Sequence, residues 1–384
     1  MSHITDVLVI GGGIAGAGAA YEISASARVT LLEREPQCGY HSTGRSAASF
    51  TENYGNAVVR KLAMASRAFL ESPPPGFCGH RLLSPRGLIT IARREQLTLL
   101  EEQRAVAQAL VPSIVPMGVS DVVARVPILR RDQIAGATFE PNSMELDVSG
   151  LHQGYLRAAR SRGAVIAVDT GVEAIFRRGE LWNVETRRGV FSAPLLVNAA
   201  GAWADEVARL AGVAPLGLVP KRRTAFNLAA PDGMDVRAWP MVDDVGAELY
   251  FKPDAGQLLV SPADKTPSAP VDAQPEDLDV AVGVERFERA TTYNVTRVAR
   301  AWAGLRTFAS DSSPVVGPDH TAPGFVWLAA QGGYGIKTSP ALSRACAALL
   351  RAQALPEDLA RLGIGIEEIS PQRLRGGPPT ATTA

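Results

Sequence analysis

The sequence predicts an α/β protein of two interleaved lobes, and three observations carry that expectation. A glycine turn joins two short apolar runs at the very start of the chain. Long central stretches lack strand–helix alternation and read as sheet. Buried-strand runs of the first kind then return near residues 191 and 326.

The opening unit is the most informative. Val7 to Ile10 meets Gly11, Gly13 and Gly16 in G-x-G-x-x-G order, and Ile14 and Ala15 open a helix of small residues. A second apolar run, Val29 to Leu32, ends on Glu33 and Arg34. Strand, turn, helix, strand and acid together form the Rossmann-type dinucleotide fingerprint. Gly11 allows the tight turn, Gly13 the approach of a pyrophosphate, and Gly16 close helix–strand packing. The helix N-terminus favours the phosphates, and Glu33 is placed to accept hydrogen bonds from a ribose. A glycine-rich turn in an ordinary α/β unit is the competing reading.

FAD and NAD both use this unit. Here the chain continues into His41, Ser42, Thr43, Gly44, Arg45, Ser46, Ala47 and Ala48. Hydroxyl and guanidinium donors beginning a helix close to the phosphates suit a pyrophosphate and a flavin beyond it, which selects FAD. An N-capped surface helix competes.

Composition narrows the rest. Of 384 residues, 39 are basic and 39 acidic, which gives no electrostatic case for nucleic acid or an anionic membrane surface. No run of eighteen apolar residues occurs, and strand one begins almost at once. The expectation is therefore no transmembrane segment, no signal peptide and a cytoplasmic location, with peripheral attachment to the inner membrane left open. Cys38, Cys78 and Cys346 are scattered, so neither a disulfide framework nor a metal site is expected.

In chain order, the pattern predicts helices over Asn56–Ser72, Glu95–Leu110, Leu151–Arg162, Glu285–Arg300 and Pro340–Ala352. Strands are expected at Arg86–Ala92, within Ala137–Asp147, at Val165–Val168 and at Val172–Ile175. Further strands are expected at Phe191–Gly201, Gly217–Ala230, within Trp239–Pro262, and at Val326–Ala330. The FAD-binding domain is thus discontinuous, over 1–84, 145–214 and 300–373. The substrate-binding domain takes 85–144 and 215–299, and 374–384 reads as a disordered tail. The small residues Ala200 and Gly201, with Val172 and Trp203, are expected along the adenosine half of the cofactor, although a tight packing corner would use small residues too.

The strings GGGIAG, HSTGRSAAS, LLVNAAGAW, WAGLR, SSPVVG and QGGYGIKTSP, in this order, resemble the D-amino-acid oxidase, glycine oxidase and sarcosine oxidase superfamily. Within it, the chain is most similar to bacterial FAD-dependent D-arginine dehydrogenases. The resemblance implies a two-lobed flavoprotein in which Arg223, Tyr250 and Arg306 surround a substrate carboxylate and Tyr54 closes over the site. It implies that Gly332, Gly333, Tyr334, Gly335 and Ile336 pass close to the flavin, with Lys337 near its pyrimidine. Gly304 and Arg306 would border both cofactor and substrate. A solvated face or a lobe-interface ion pair is the ordinary alternative for the arginines and tyrosines, and an exposed helix start for Lys337.

Two positions depart from the arginine enzymes. Leu88 stands where they carry a Glu, and Ser49 where they carry a His. Asp243 shares a strand face with Met241 and could supply a new acid. Its place beside Asp244 and just before Gly246 reads more readily as a solvated turn. The expected substrates are therefore D-amino acids with neutral or apolar side chains. D-arginine or D-lysine held by Asp243, a glycine- or sarcosine-type amine oxidase, and a non-catalytic flavin-binding subunit are the alternatives. Hydride transfer from Cα to flavin N5 would give an imino acid, then a 2-oxo acid and ammonia. FAD would be held non-covalently, because Arg306 to Gly317 contains no Cys. The oxygen-activating Lys of sarcosine oxidases falls at Leu258, which points to a dehydrogenase passing electrons to a quinone or other acceptor.

Overall fold

The computed structural model describes residues 2–375. A six-stranded sheet runs in the order Val165–Ala167, Val29–Leu32, Val7–Ile10, Leu195–Asn198, Phe325–Ala329 and Val315–Pro318. Every pairing in it is parallel except the last. Val7–Ile10, Val29–Leu32 and Phe325–Ala329 are buried at every position, as strands covered on both faces must be. The helix Ile14–Ile23 is buried at all residues but Glu22. Its small side chains pack on the helix Gly335–Leu350 through Ala341, Leu342 and Ala345. Its Ala17 and Tyr21 pack on Val148–Ser161 through Leu151 and Tyr155. Gly16 explains the closeness: a Cβ there would lie 1.8 Å from the Gly11 carbonyl oxygen.

The second large sheet has eight strands, ordered Arg300–Phe308, Val219–Leu228, Gln257–Ser261, Tyr250–Asp254, Met241–Asp244, Leu88–Ala92, Gly136–Glu140 and Val115–Met117. It is antiparallel except where Met241–Asp244 meets Leu88–Ala92. Its outer face packs on a core containing Phe226, Phe251, Leu258 and Phe287. The other face looks toward the nucleotide sheet, and the cleft lies between them.

Several expectations need correction. Phe191–Gly201 is not one strand: Gly189–Ala193 and Leu195–Asn198 belong to different sheets, divided at Pro194, which has no N–H to donate to a ladder. The helix expected over Glu285–Arg300 runs instead from Asp277 to Ala290. Asp277 and Asp279 favour its N-terminus, and the β-branched run beyond Ala290 ends it. The last long helix begins at Gly335, before Pro340 rather than at it. The missing Pro340 N–H leaves the Ile336 carbonyl open, and the Ser339 hydroxyl donates to that oxygen at 3.0 Å. A boundary at 300 falls too early, because Arg300–Phe308 pairs along its length with Val219–Leu228 in the eight-stranded sheet. Of the expected tail, Leu374 closes a 3-10 turn and Arg375 pairs with Asp319, while 376–384 lies outside the described residues.

Candidate cofactor and substrate cleft

A single large cleft with a cavity volume of about 420 Å³ connects the glycine turn to the eight-stranded sheet. At its nucleotide end, Gly11, Gly13, Ile14 and Ala15 line the wall. Gly11 takes φ +104°, and a Cβ on it would lie 2.5 Å from the Ala199 carbonyl oxygen. Glu33 is 7% exposed. Its carboxylate accepts the Gly12 N–H at 2.7 Å and the Glu35 N–H at 2.9 Å. Burial raises its pKa, and those two backbone donors oppose the rise. The Arg34 guanidinium lies 4.7 Å over the Trp203 ring, and His41 tilts against the same ring. Val172, Ala200 and Gly201 complete this wall.

The Ser/Thr/Gly/Arg segment forms one 3-10 turn, Ser42–Arg45, rather than a longer helix. Thr43 Oγ1 accepts the Ile14 N–H at 3.0 Å. Ser42 Oγ donates to the Leu305 carbonyl at 2.5 Å. Arg45, expected beside the phosphates, lines the cleft but spends its guanidinium on the carbonyls of Ala273 and Ala303 and on Asp272. Ser46, Ala47, Ala48 and Ser49 also line the cleft; Gly16 and Gly44 do not. Gly44 N–H instead donates to the Gly39 carbonyl.

At the other end, the eight-stranded sheet supplies Arg223, Arg306, Tyr250 and Gly304, with Tyr54 at the mouth. Arg223 lies opposite Gly304 and Arg306 opposite Lys221, two pairs along the ladder and so on the same face, where glycine at 304 leaves no side chain between the two arginines. Arg306 Nη2 donates to the Tyr54 hydroxyl at 3.3 Å. No acid among the described residues pairs with Arg306. Burial works against its charge, but the oxygens of Tyr54, Tyr250 and Tyr334 outweigh it and raise the pKa. Burial likewise raises the Tyr54 pKa, and Arg306 and Arg223 more than reverse this, leaving it below the usual phenol value. The Tyr54 side chain is 43% exposed, with its hydroxyl directed inward. Arg223 donates through Nε to the Asp264 carbonyl at 2.8 Å and lies over the Tyr250 ring at 5.8 Å.

Gly332, Gly333, Gly335 and Ile336 line the cleft, whereas Tyr334 stands behind it between the rings of Tyr54 and Phe308. Burial pushes the Tyr334 phenol up to about 12. The glycines have a steric cause beyond a bound ring. A Cβ on Gly333 would lie 1.7 Å from Arg306 Nη2, and one on Gly332 would lie 2.5 Å from the Phe308 ring. Lys337 is not an exposed residue at a helix start: it is 3% exposed. It donates to the carbonyls of Thr51 at 2.7 Å and Tyr54 at 2.6 Å. Burial pulls its pKa down to about 7.

Ser49, Leu88, Met241, Asp243, Ala247 and Leu249 also line the cleft. Met241 lies opposite Leu88, and Asp243 opposite both Thr90 and Tyr250. Asp243 is thus a strand residue facing the cleft, and the solvated turn is overturned. The alternation of Met241–Asp244 sends Asp244 to the opposite face, where Arg93 and Gln96 hold it. Burial raises the Asp243 pKa to about 7. Leu258 is fully buried beneath the far face of the sheet, so it has no bearing on the cleft. Lys265 lines the cleft instead, and its charge is felt by Tyr54.

Lys265, Thr51, Gln331 and Leu249 were missed from sequence. Lys265 lies in an irregular segment with no period to read. Gln331 does precede the glycine string directly, and that adjacency was a usable signal. Its Nε2 is buried without a hydrogen-bond partner. A dinucleotide with flavin oxygens fits this cleft: it offers a helix N-terminus, the Glu33 carboxylate, small residues along Ala199–Gly201 and the unpaired Gln331 donor. Among the described residues no cluster of His, Cys, Asp or Glu could hold a metal ion, and no helix is long and apolar enough to cross a membrane.

Residues 6–349 match the family described as DAO, FAD dependent oxidoreductase. The chain is 23% identical over 400 residues to FAD-dependent oxidoreductase domain-containing protein 1 of Xenopus laevis, across 90% of this chain and 79% of that protein. Its fold is similar to L-proline dehydrogenase from P. horikoshii, with a TM-score of 0.82 at 18% identity over 98% of this chain and 99% of the other. It is also similar to glycine oxidase from Geobacillus kaustophilus, with a TM-score of 0.82 at 23% identity over 94% and 98%.

Proposed function

This chain belongs to the DAO family of FAD dependent oxidoreductases with FAD as cofactor, and from that premise we propose that it oxidises the α-carbon of a D-amino acid. The observation that carries the reading is Arg306, a half-buried guanidinium lining the cleft without an acidic partner among the described residues, flanked by Tyr54 and Tyr250 and joined by Arg223. A partly desolvated cation without a partner is costly, and a planar fork pairs best with a carboxylate. An α-amino acid brings that carboxylate.

Bound FAD supplies the acceptor for two electrons and the hydrogen leaving Cα. Arg306 and Arg223 fix the carboxylate, and the hydroxyls of Tyr54 and Tyr250 add hydrogen bonds to the same end. Lys337 holds the 51–54 segment through two carbonyls, and so sets where Tyr54 stands. No side chain is assigned as general base; a neutral substrate amine needs orientation alone. The product imino acid then hydrolyses to a 2-oxo acid and ammonia. The D configuration rests on the resemblance of the sequence strings. Leu88, Met241 and Leu249 would cover the methylenes of the substrate side chain, and electrons would leave to a quinone or similar acceptor.

A second reading, turnover with dioxygen on glycine or a secondary amine such as sarcosine, is favoured by Lys265 at the cleft. An ammonium there would stabilise superoxide as it forms. The deciding experiment is anaerobic bleaching of the bound flavin by a panel of D-amino acids, L-amino acids, glycine and sarcosine. Bleaching by D-amino acids is expected; bleaching by L-isomers or sarcosine alone would overturn the reading.

A further inference from the structure

We propose that Asp243 determines which substrate this cleft accepts, by receiving a side chain that ends in a protonated amine or a guanidinium. This rests on the amino-acid reading above and names its substrate class. The starting observation is an oxygen without a partner. Asp243 Oδ1 is buried and makes no hydrogen bond, while its neighbour Asp244 is fully engaged on the other face with Arg93, Gln96 and the Gly246 N–H.

Burial holds the proton of Asp243, a hydrogen bond from the Thr90 side chain opposes that, and the charges of Glu140 and Asp244, both acids, add to the effect of burial. Tyr250 lies directly across from it in the strand pair, and Arg223 lies over the Tyr250 ring. The cleft therefore has a cationic end at Arg306 and Arg223 and an acidic end at Asp243, with Tyr250 between them. Leu88, Met241 and Leu249 wall the acidic end with apolar surface suited to methylenes. A substrate with a carboxylate at one end, a methylene chain and a cation at the other satisfies both ends. A neutral aliphatic chain leaves the Asp243 oxygen buried and unsatisfied, and discrimination follows from that loss.

The test uses the FAD-loaded enzyme and two near-isosteric substrate pairs, D-lysine with D-norleucine and D-arginine with D-citrulline. The readout is the ratio of specificity constants within each pair, for wild type, Asp243→Asn and Asp243→Glu. Wild type is expected to favour the cationic member by at least about tenfold, the lower range for a hydrogen bond to a charged group. Asp243→Asn should bring both ratios close to one, and Asp243→Glu should keep them above those of the Asn variant. A wild-type ratio at or below one overturns the inference whatever the variants do. So does a wild-type preference that survives in Asp243→Asn with FAD content intact. If all four compounds bleach the flavin equally well, the inference fails and the amino-acid reading stands; if none bleaches it anaerobically, both fail.

Discussion

Gly333→Ala separates the stability of this protein from its chemistry. The new methyl carbon would lie 1.7 Å from Arg306 Nη2 and 2.1 Å from its Cζ. The Cβ and the guanidinium cannot both keep these positions. Gly333 does not occupy the left-handed region, so the backbone tolerates alanine without strain. What yields is the far end of a flexible side chain, at little cost to folding. The guanidinium should swing away from Tyr54 and from the position where a carboxylate would bind. Removing one partner of a buried charge pair costs about 2–5 kcal/mol, or roughly 30- to 5000-fold in kcat/KM. The assay is kcat/KM for a D-amino acid with FAD content and Tm measured on the same samples. The variant should keep its flavin and lie within about 1 kcal/mol of wild type in stability. Arg306→Met should reproduce the loss, and the double variant should add little to it, because both changes remove the same group. Full activity in Gly333→Ala, or additive losses in the double variant, would refute the placement of Arg306.

Three further outcomes are expected. Acid precipitation should leave the yellow colour in the supernatant, since the strand carrying Arg306 has no Cys and Cys346 is fully buried in the core; colour in the pellet would show a covalent link. Lys337, with its pKa pulled down to about 7 against an ordinary 10.5, binds fewer protons folded than unfolded over that interval. Stability should therefore rise as pH is raised from about 7 toward 10.5, and Lys337→Met should flatten the slope measured by denaturant titration. Lys265→Met should reduce turnover with dioxygen more than turnover with a dye; an equal effect on both would remove Lys265 from the reaction with oxygen.

The nucleotide half was legible because its rules are local. A glycine turn needs Gly11, close helix packing needs Gly16, and Glu33 ends a strand whose four residues are all buried. The strand carrying Arg306 was legible as a string but not as part of a sheet, since its partner Val219–Leu228 lies some eighty residues upstream and pairing at that range has no sequence period. Asp243 was misjudged for a related reason. Beside Asp244 and before Gly246 it resembles a turn, and only pairing with Leu88–Ala92 on one side and Tyr250–Asp254 on the other makes that segment a strand. The start of the last helix was placed at Pro340 because proline ordinarily marks a first turn; Ser339 supplies the hydrogen bond that lets the helix run through it.

The turn Ser42–Arg45 touches both the glycine-turn helix and the eight-stranded sheet. Thr43 accepts from the first N–H of the glycine-turn helix, while Ser42 and Arg45 grip Leu305 and Ala303, on either side of Gly304 and next to Arg306. A ligand that orders this turn would therefore also order the strand proposed to receive the substrate carboxylate. On that reading FAD and substrate are expected to be linked ligands, each tightening the other by the same factor. Dilution of the cofactor should then weaken substrate-analogue binding before any unfolding is detectable, and a bound carboxylate should slow the release of FAD.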